Sequence, residues 1–401
     1  MICPLILGIN RGRLATLLLL AVVPFNAECS MSQRRNAPPK PPGGELYVVM
    51  KNRKFGYIDS EGHVVVEPQY DLAAPFSEGL ASVMIRGDGD KTFTAYIDKT
   101  GRVVIKPMEG SGANFSSGVA RVLVSASYLY IDTKGSWASL AFYQDAEDCT
   151  EGLCAVRMDP LGPKRWGYIN TSGAVIVKGQ YDWAMAFKEG IARVGLMIGE
   201  PYLKDGAPAH DGKEGYIDKT GKPLTELKFE KAWDFSDGMA QVRLNGKWGY
   251  IDKTGSLVIS PQYDETSPFR EGLAGVKING LWGFINKAGK LVIATQFDYV
   301  SGFSEGLTVV GRDGKKYYVD QNGNAALSPP FKFLGEFKSG LAAFRQDDRM
   351  AGVLDKTGKI ILNAQFDSIE ILSGGIIMVE DQKKGIGYAD RTGKFFWAPS
   401  Y

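Results

Sequence analysis

Two histidines and four cysteines are the whole supply of imidazole and thiol chemistry in this chain of 401 residues. His63 heads an apolar run, Val64-Val65-Val66, and reads as a surface or edge residue. His210 stands beside Asp211 in the segment Gly195 to Lys213, together with Tyr202, Lys204 and Asp205. A His–Asp pair needs a nucleophile to activate, and that segment holds no Ser or Cys. Cys149 and Cys154 lie five apart around a turn, which in an exported chain reads as a disulfide, with two reduced core thiols as the alternative. Aspartates recur at Asp59, Asp98, Asp132, Asp218, Asp252, Asp320, Asp355 and Asp390. Calcium takes about six to eight oxygens, so one carboxylate per turn with Lys beside it supplies too few, and the aspartates read as turn formers. A retaining glycosidase needs two carboxyls about 5 Å apart, and 45 acidic residues single out no such pair. No catalytic, cofactor or metal residue is assigned.

What positions these residues is a repeat. Asn245-Gly246-Lys247-Trp248-Gly249-Tyr250-Ile251-Asp252-Lys253-Thr254-Gly255 is followed by Leu257-Val258-Ile259, Pro261-Gln262-Tyr263-Asp264 and Phe269-Arg270-Glu271-Gly272-Leu273-Ala274. With its Tyr as anchor, copies fall at Tyr57, Tyr96, Tyr130, Tyr168, Tyr216, Tyr250, Phe284, Tyr318, Val353 and Tyr388. The distance from anchor to the Gly of the second signature (Gly79, Gly118, Gly152, Gly190, Gly238, Gly272, Gly306, Gly340, Gly375) is 22 in all nine cases. From that Gly to the next anchor it runs 17, 12, 16, 26, 12, 12, 12, 13 and 13. Insertions therefore fall in one interval, which marks a solvent-facing connection, and the other interval is a rigid unit.

Local chemistry assigns the elements. Leu273 to Ile278 is a strand A, Asn279-Gly280 a two-residue hairpin turn, Trp282 to Asn286 a strand B, and Leu257 to Ser260 a strand C closed by Pro261. Asp-Lys-Thr-Gly is the tight turn between B and C. No apolar run has a sustained 3.6 period, so little helix is expected. The architecture is all-β, a tandem array of ten three-stranded antiparallel meanders. No strand is left over at either end to be exchanged, which favours an open superhelical, solenoid-like stack, with a closed propeller-like ring as the alternative. The connections Arg86 to Thr94, Met158 to Arg165 and Gly195 to Lys213 should leave the array from one edge. Among side chains, the anchor tyrosines read as core rather than sugar-stacking platforms. Phe269 reads as buried. Glu78, Glu151, Glu189, Glu271 and Glu305 read as turn or solvent groups, so that Glu271→Ala should cost no more than about 0.5 kcal/mol.

Trp166-Gly167-Tyr168-Ile169, Trp248-Gly249-Tyr250-Ile251-Asp252 and Trp282-Gly283-Phe284-Ile285, each with its turn and Phe-x-x-Gly signature, resemble the bacterial WG (KWG) repeat family across residues 46 to 401. Other copies carry Phe55, Thr94, Tyr128, Glu214, Lys316, Ala351 or Ile386 for the Trp, and Ala95, Leu129 and Tyr317 replace the Gly. The resemblance implies a repeat scaffold with a broad binding role and carries over no catalytic residues.

Ahead of the array, Arg11 and Arg13 precede the apolar run Leu14 to Val23, so residues 1–29 read as a signal peptide and 30–44 as a Pro-rich tether, with the repeat domain at 45–401. The chain is then exported, periplasmic or at the cell surface. A lipid on Cys29 would make it a lipoprotein, and a start at Met31 would leave it cytoplasmic. A net charge of +2 gives no field for a nucleic acid, and the mature part has no membrane span. The function that follows is a non-enzymatic scaffold binding a protein or envelope polymer. A glycan- or peptidoglycan-binding module is the alternative, and a glycan-active enzyme a more distant one. Specificity is placed in the Gly195 to Lys213 insert, at Tyr202, Lys204, Asp205, His210 and Asp211, because an interruption of a regular surface is what a partner can single out.

Overall fold

In the computed structural model, residues 44–89, 91–139, 141–158, 165–204, 207–347 and 349–399 are described, without the side chains of 200–211. Residues 1–43, on which the expected signal peptide and tether fall, lie outside them. Ten small antiparallel sheets follow one another, one per repeat, and the only helix among the described residues is a single 3-10 turn, Ser373–Gly375. Strands A and B are those read from the sequence, in blade 6 Met239–Leu244 and Lys247–Asp252, whereas strand C, Leu257–Tyr263, runs on through Pro261 rather than ending at it, because the chain bulges there and then pairs again. A fourth element was not foreseen. The residues after strand C form a short strand, two residues in Glu265–Thr266 and four in Ser368–Ile371, that pairs with strand A of the next blade, so six of the sheets have four strands. The modules are therefore interlocked rather than stacked as separate meanders.

The Trp-Gly glycine is required by strand C. Trp248 pairs with Tyr263 and Tyr250 with Ile259, so the three residues Ser260 to Gln262 bulge past Gly249 alone. A Cβ on Gly249 would lie 2.3 Å from the Ile259 carbonyl oxygen, and on Gly283 2.5 Å from that of Ile293. Copies lacking the glycine lack the bulge in this form. Opposite Ala95 only two residues intervene, between Ile105 and Met108; Leu129 has no regular strand C beside it; and the strand C facing Tyr317 stops at Leu327.

The apolar core is divided into ten clusters, one at each joint between consecutive blades. In the sixth joint, Tyr250, Ile259 and Tyr263 of blade 6 pack against Phe269, Ala274, Val276 and Ile285, which belong to blade 7 or to the segment leading into it. Tyr250 lies edge-on to Phe269 at 4.8 Å, and its hydroxyl donates to the Ser267 carbonyl at 2.8 Å. The same bond, from the anchor hydroxyl to the carbonyl seventeen residues on, recurs from Tyr57, Tyr96, Tyr130, Tyr168, Tyr216 and Tyr318.

The tenth joint closes the array into a propeller-like ring, so of the two arrangements the ring is the one formed. The absence of an exchanged strand, which favoured an open stack, does not prevent closure. Blade 1, made of Tyr47–Lys51, Lys54–Ile58 and Val64–Tyr70, has no short strand among the described residues. Tyr47 takes up the slack, because it stands where most other copies have Ala and its ring lies 5.2 Å from that of Tyr388 and 5.9 Å from that of Phe396. The Tyr388 hydroxyl donates to the Val48 carbonyl at 2.7 Å. Gly62 fits under the Phe396 carbonyl, where a Cβ would come within 2.1 Å.

Gly249→Ala should destabilise the chain by about 1–3 kcal/mol in chemical denaturation, as overpacking against a backbone does. A loss under about 0.5 kcal/mol, the range of an inconsequential substitution, would show that the strand C bulge yields to a methyl group.

Candidate functional site

Blade 5 is where the regular pattern is most altered. Its A and B strands, Ile191–Lys204 and Ala207–Asp218, extend through the insert as one long hairpin, so Gly195 to Lys213 is two paired strands rather than a loop. The register irregularity falls between Ile198 and Tyr202. Tyr202 pairs with Ala209, Lys204 with Ala207 and Ile198 with Asp211, while His210 lies on the returning strand. The backbone thus brings Tyr202, Lys204, His210 and Asp211 together on one two-stranded arm; Asp205 lies outside the described residues. The arm has a built root. Gly195 and Gly212 lie against the Trp183 ring, and a Cβ on either would come within 2.1 Å or 2.3 Å of it. The connections Arg86 to Thr94 and Met158 to Arg165 join A to B in their own blades as this arm does, so all three leave the array from equivalent edges, as the interval analysis requires.

Beside the arm is a cavity of about 590 Å³ lined by Tyr181, Val194, Leu196, Tyr216, Leu224 and Leu227 among others, with Gln180, Thr225 and Glu226 as its polar groups. Its origin is legible in the residues. The third position of strand C, a buried aliphatic in other blades such as Ile259 and Ile293, is Thr225 here, and its hydroxyl accepts the Tyr216 N–H at 3.1 Å instead of filling the joint. Pro223 at the head of that segment leaves isolated bridges, Ile217 to Pro223 and Glu214 to Phe229, in place of a strand C. Glu214, in the Trp position, is buried and ion-paired with Arg193 at 3.0 Å; it also accepts the Ala232 N–H at 2.9 Å. Arg193 lies under the exposed Trp233 ring at 5.7 Å. Nothing in the composition signalled the cavity; the marks it left in the sequence are Pro223 and Thr225, the latter where most copies have an aliphatic residue.

The other candidate residues fall into structural roles. Burial pushes the phenols of Tyr57, Tyr96, Tyr130, Tyr168, Tyr216, Tyr250 and Tyr318 well above their usual range, and none of these rings is open to a sugar. Asp252 shows what the turn aspartates do: its carboxylate accepts the N–H groups of Thr254 and Ser256 and the Thr254 hydroxyl, and these bonds hold its pKa below the usual value. His63 is exposed at the turn of blade 1, 3.2 Å from Asp59. Cys149 and Cys154 are bonded. They occupy the Phe and Ala positions of the joint, so the disulfide stands in for the contact that Phe269 makes beside Ala274.

The glutamates before the signature glycines are not free turn groups. Each reaches across its joint: Glu78 accepts the Gly118 N–H, Glu151 that of Gly190, Glu189 that of Gly238, Glu271 that of Gly306 and Glu305 that of Gly340, at 2.9 to 3.1 Å. The Lys of the Asp-Lys-Thr-Gly turn joins several, as Lys356 does Glu305 at 3.2 Å and Lys253 does Glu189 at 3.1 Å. Glu271 also accepts the Glu305 N–H at 2.6 Å. The small cost expected of Glu271→Ala is therefore revised upward. Spacing could not show this, because the partner amide is a repeat away.

The family model described as WG containing repeat matches residues 55–87, 95–125, 166–196, 215–248, 248–282, 282–315, 318–349 and 352–384, and the chain belongs to that family. Each matched unit runs from strand B of one blade into strand A of the next, so it spans a joint. No curated protein matches the chain. Among solved structures, a eukaryotic initiation factor superposes with a TM-score of 0.50 at 11% identity, over 81% of this chain and 97% of that one, a likeness of fold alone. The extracellular domain of the hybrid two component system BT3049 from B. thetaiotaomicron gives 0.26 at 9% identity, over 86% of this chain and 54% of that one. Hsv2 of Kluyvelomyces marxianus gives 0.32 at 10% identity, over 51% and 69%.

Two outcomes test the joint. Phe269→Ala should cost about 3–5 kcal/mol and Glu271→Ala about 1–2 kcal/mol in urea denaturation, the first as a core truncation and the second as a lost charge-assisted bond. Equal losses would contradict the packing. The second concerns pH. Burial pushes the Glu305 carboxyl up, but the Gly340 N–H and Lys356 outweigh it and leave its pKa below the usual value. A depressed folded-state pKa adds stability that is full above the unfolded value, about 4.3, and is lost as pH falls through the folded one. The Tm gap between wild type and Glu305→Gln should therefore be present at pH 7 and shrink below pH 4; a gap that widens there would reverse the sign.

Proposed function

We propose that this chain is an exported, non-enzymatic scaffold that binds a protein partner through the arm of blade 5. The observation that carries the reading is the arm itself. A two-stranded extension is seated on Trp183 by two glycines and presents the exposed Met197 and Ile198 beside a largely apolar cavity. A rigid scaffold that holds one apolar projection suits a protein surface, where buried apolar anchors supply most of the binding energy. The lining of the cavity is too apolar for a polyhydroxyl glycan. Export is supported by the leader-like residues 1–29 and by the Cys149–Cys154 disulfide, since such bonds persist in oxidising compartments.

Replacing Gly195 to Lys213 by Asn-Gly, the turn of blade 6, should leave the ring folded and remove most capture of a partner from envelope extracts. Unchanged capture by a normally folded variant would move the binding surface away from blade 5.

A further inference from the structure

Between strand C of one blade and the short strand of the next, most copies place an acid that serves two hairpins at once. Asp71, Asp182 and Asp264 pair with Lys54, Arg165 and Lys247 of the blade behind at 2.5 to 2.8 Å. The same carboxylates accept the N–H groups of Arg86, Met197 and Asn279 at the hairpin tips of the blade ahead. Entering blade 9 the residue in this position is Lys332, the only basic one among the copies. In repeat register it stands opposite Lys315, the counterpart of Lys54 and Lys247, so two cations are assigned to a place where other blades close an ion pair. Such a like-charge placement costs stability, and local rules are broken in this way at functional positions. Lys332 is engaged by its own surroundings, over the Phe333 ring at 5.4 Å and within the field of Asp347. Lys315 is exposed and has no ion-pair partner among the described residues.

The next residue departs from the repeat as well. Lys316 occupies the Trp position, and in the ladder Tyr299 pairs with Gly311 and Gly311 with Lys316. Gly311 has no side chain to cover the ring between them. The Lys316 ammonium lies 4.4 Å from the centroid of Tyr299 and 5.1 Å from that of Phe333, the first residues of two consecutive short strands. Both rings stay open to solvent, 44% and 37% exposed. The carboxylates of these hairpins have other bonds: Asp298 accepts the Asp313 N–H, Asp347 the Arg349 and Met350 N–H groups, and Asp313 lies 3.7 Å from Arg312.

We infer that this surface of blades 8 and 9 is a docking site for an acidic segment of a partner protein, with carboxylates on Lys315 and Lys316 and apolar side chains on the Tyr299 and Phe333 rings. The sister blades indicate the ligand. At Lys54 and Lys247 the counter-ion is an Asp of the polypeptide, so an Asp or Glu from outside restores the pair that Lys332 removes. The exposed rings supply apolar anchors and the unbalanced charge selects the acid. The surface lies on other blades than the arm and does not depend on it.

The probe is the fluorescently labelled, end-blocked peptide Leu-Asp-Glu-Leu-Asp-Glu, titrated into the full chain by anisotropy. Saturable binding is expected that weakens about tenfold with Lys315→Glu or Lys316→Glu and falls as salt rises. Lys51→Glu, a charge reversal at the exposed tip of blade 1, should change it by less than about twofold. Because Lys315 is exposed, Lys315→Glu keeps the test valid if Lys316→Glu, whose ammonium packs on two rings, does not fold. Absent binding, or binding that Lys315→Glu leaves unchanged, overturns the site. So does an equal loss with Lys51→Glu, which would show attraction to basic residues in general. Polygalacturonate that binds more tightly than the peptide and loses affinity with Lys315→Glu would give the surface to an acidic glycan and overturn the assignment to a protein. The chain with Gly195 to Lys213 replaced by Asn-Gly should bind the probe unchanged; probe binding lost there overturns the placement on blades 8 and 9, whereas partner capture lost there with probe binding intact supports both sites as separate.

Discussion

The contact on which the rest of the structure depends is the one between an anchor Tyr and the Phe nineteen residues later, across a joint between blades. A meander of three short strands buries too little to stand alone, and here all ten apolar clusters lie between consecutive blades. The Tyr hydroxyl adds a directed bond that fixes where the incoming segment crosses. It also explains why the interval from anchor to signature Gly is constant. That interval spans the joint, and one inserted residue would move the Phe, the carbonyl and the glycine out of reach together.

Within that slot the residues compensate one another. Phe269 meets Ala274, Phe235 meets Ala240 and Phe187 meets Ala192; where the ring shrinks to Leu372, the facing position grows to Ile377. Where both are Cys the contact becomes a covalent bond, and in the tenth joint Tyr47 supplies the ring. Close packing requires such exchanges, because a joint left short of a ring would hold a void.

Much of this was legible in the sequence. The ten copies, their strands, the buried ladder and the turn aspartates follow from periodicity and from the chemistry of Asn-Gly, Asp-x-x-Gly and Pro, which act on the local chain. What the sequence hid is relational. The short strands are two residues long, four in Ser368–Ile371, too short for a period. The Glu271 bond goes to an amide a repeat away, and closure depends on Tyr47, which looks like any strand residue until Tyr388 is placed beside it. The insert stands out by its length, but its form as a paired arm depends on Trp183 and on Gly195 and Gly212, which both lie against that ring.

The central claim is that joints hold the ring and that the tenth is a joint like the others. Native-state hydrogen exchange tests it most directly, since the protection of an amide reports the free energy of opening the structure around it. The amides of Val49 and Tyr388, in the tenth joint, should be protected on the same scale as those of Val276 and Tyr250 in the sixth. Free exchange of Val49 and Tyr388 beside a protected sixth joint would show an open array with two frayed ends and contradict the account.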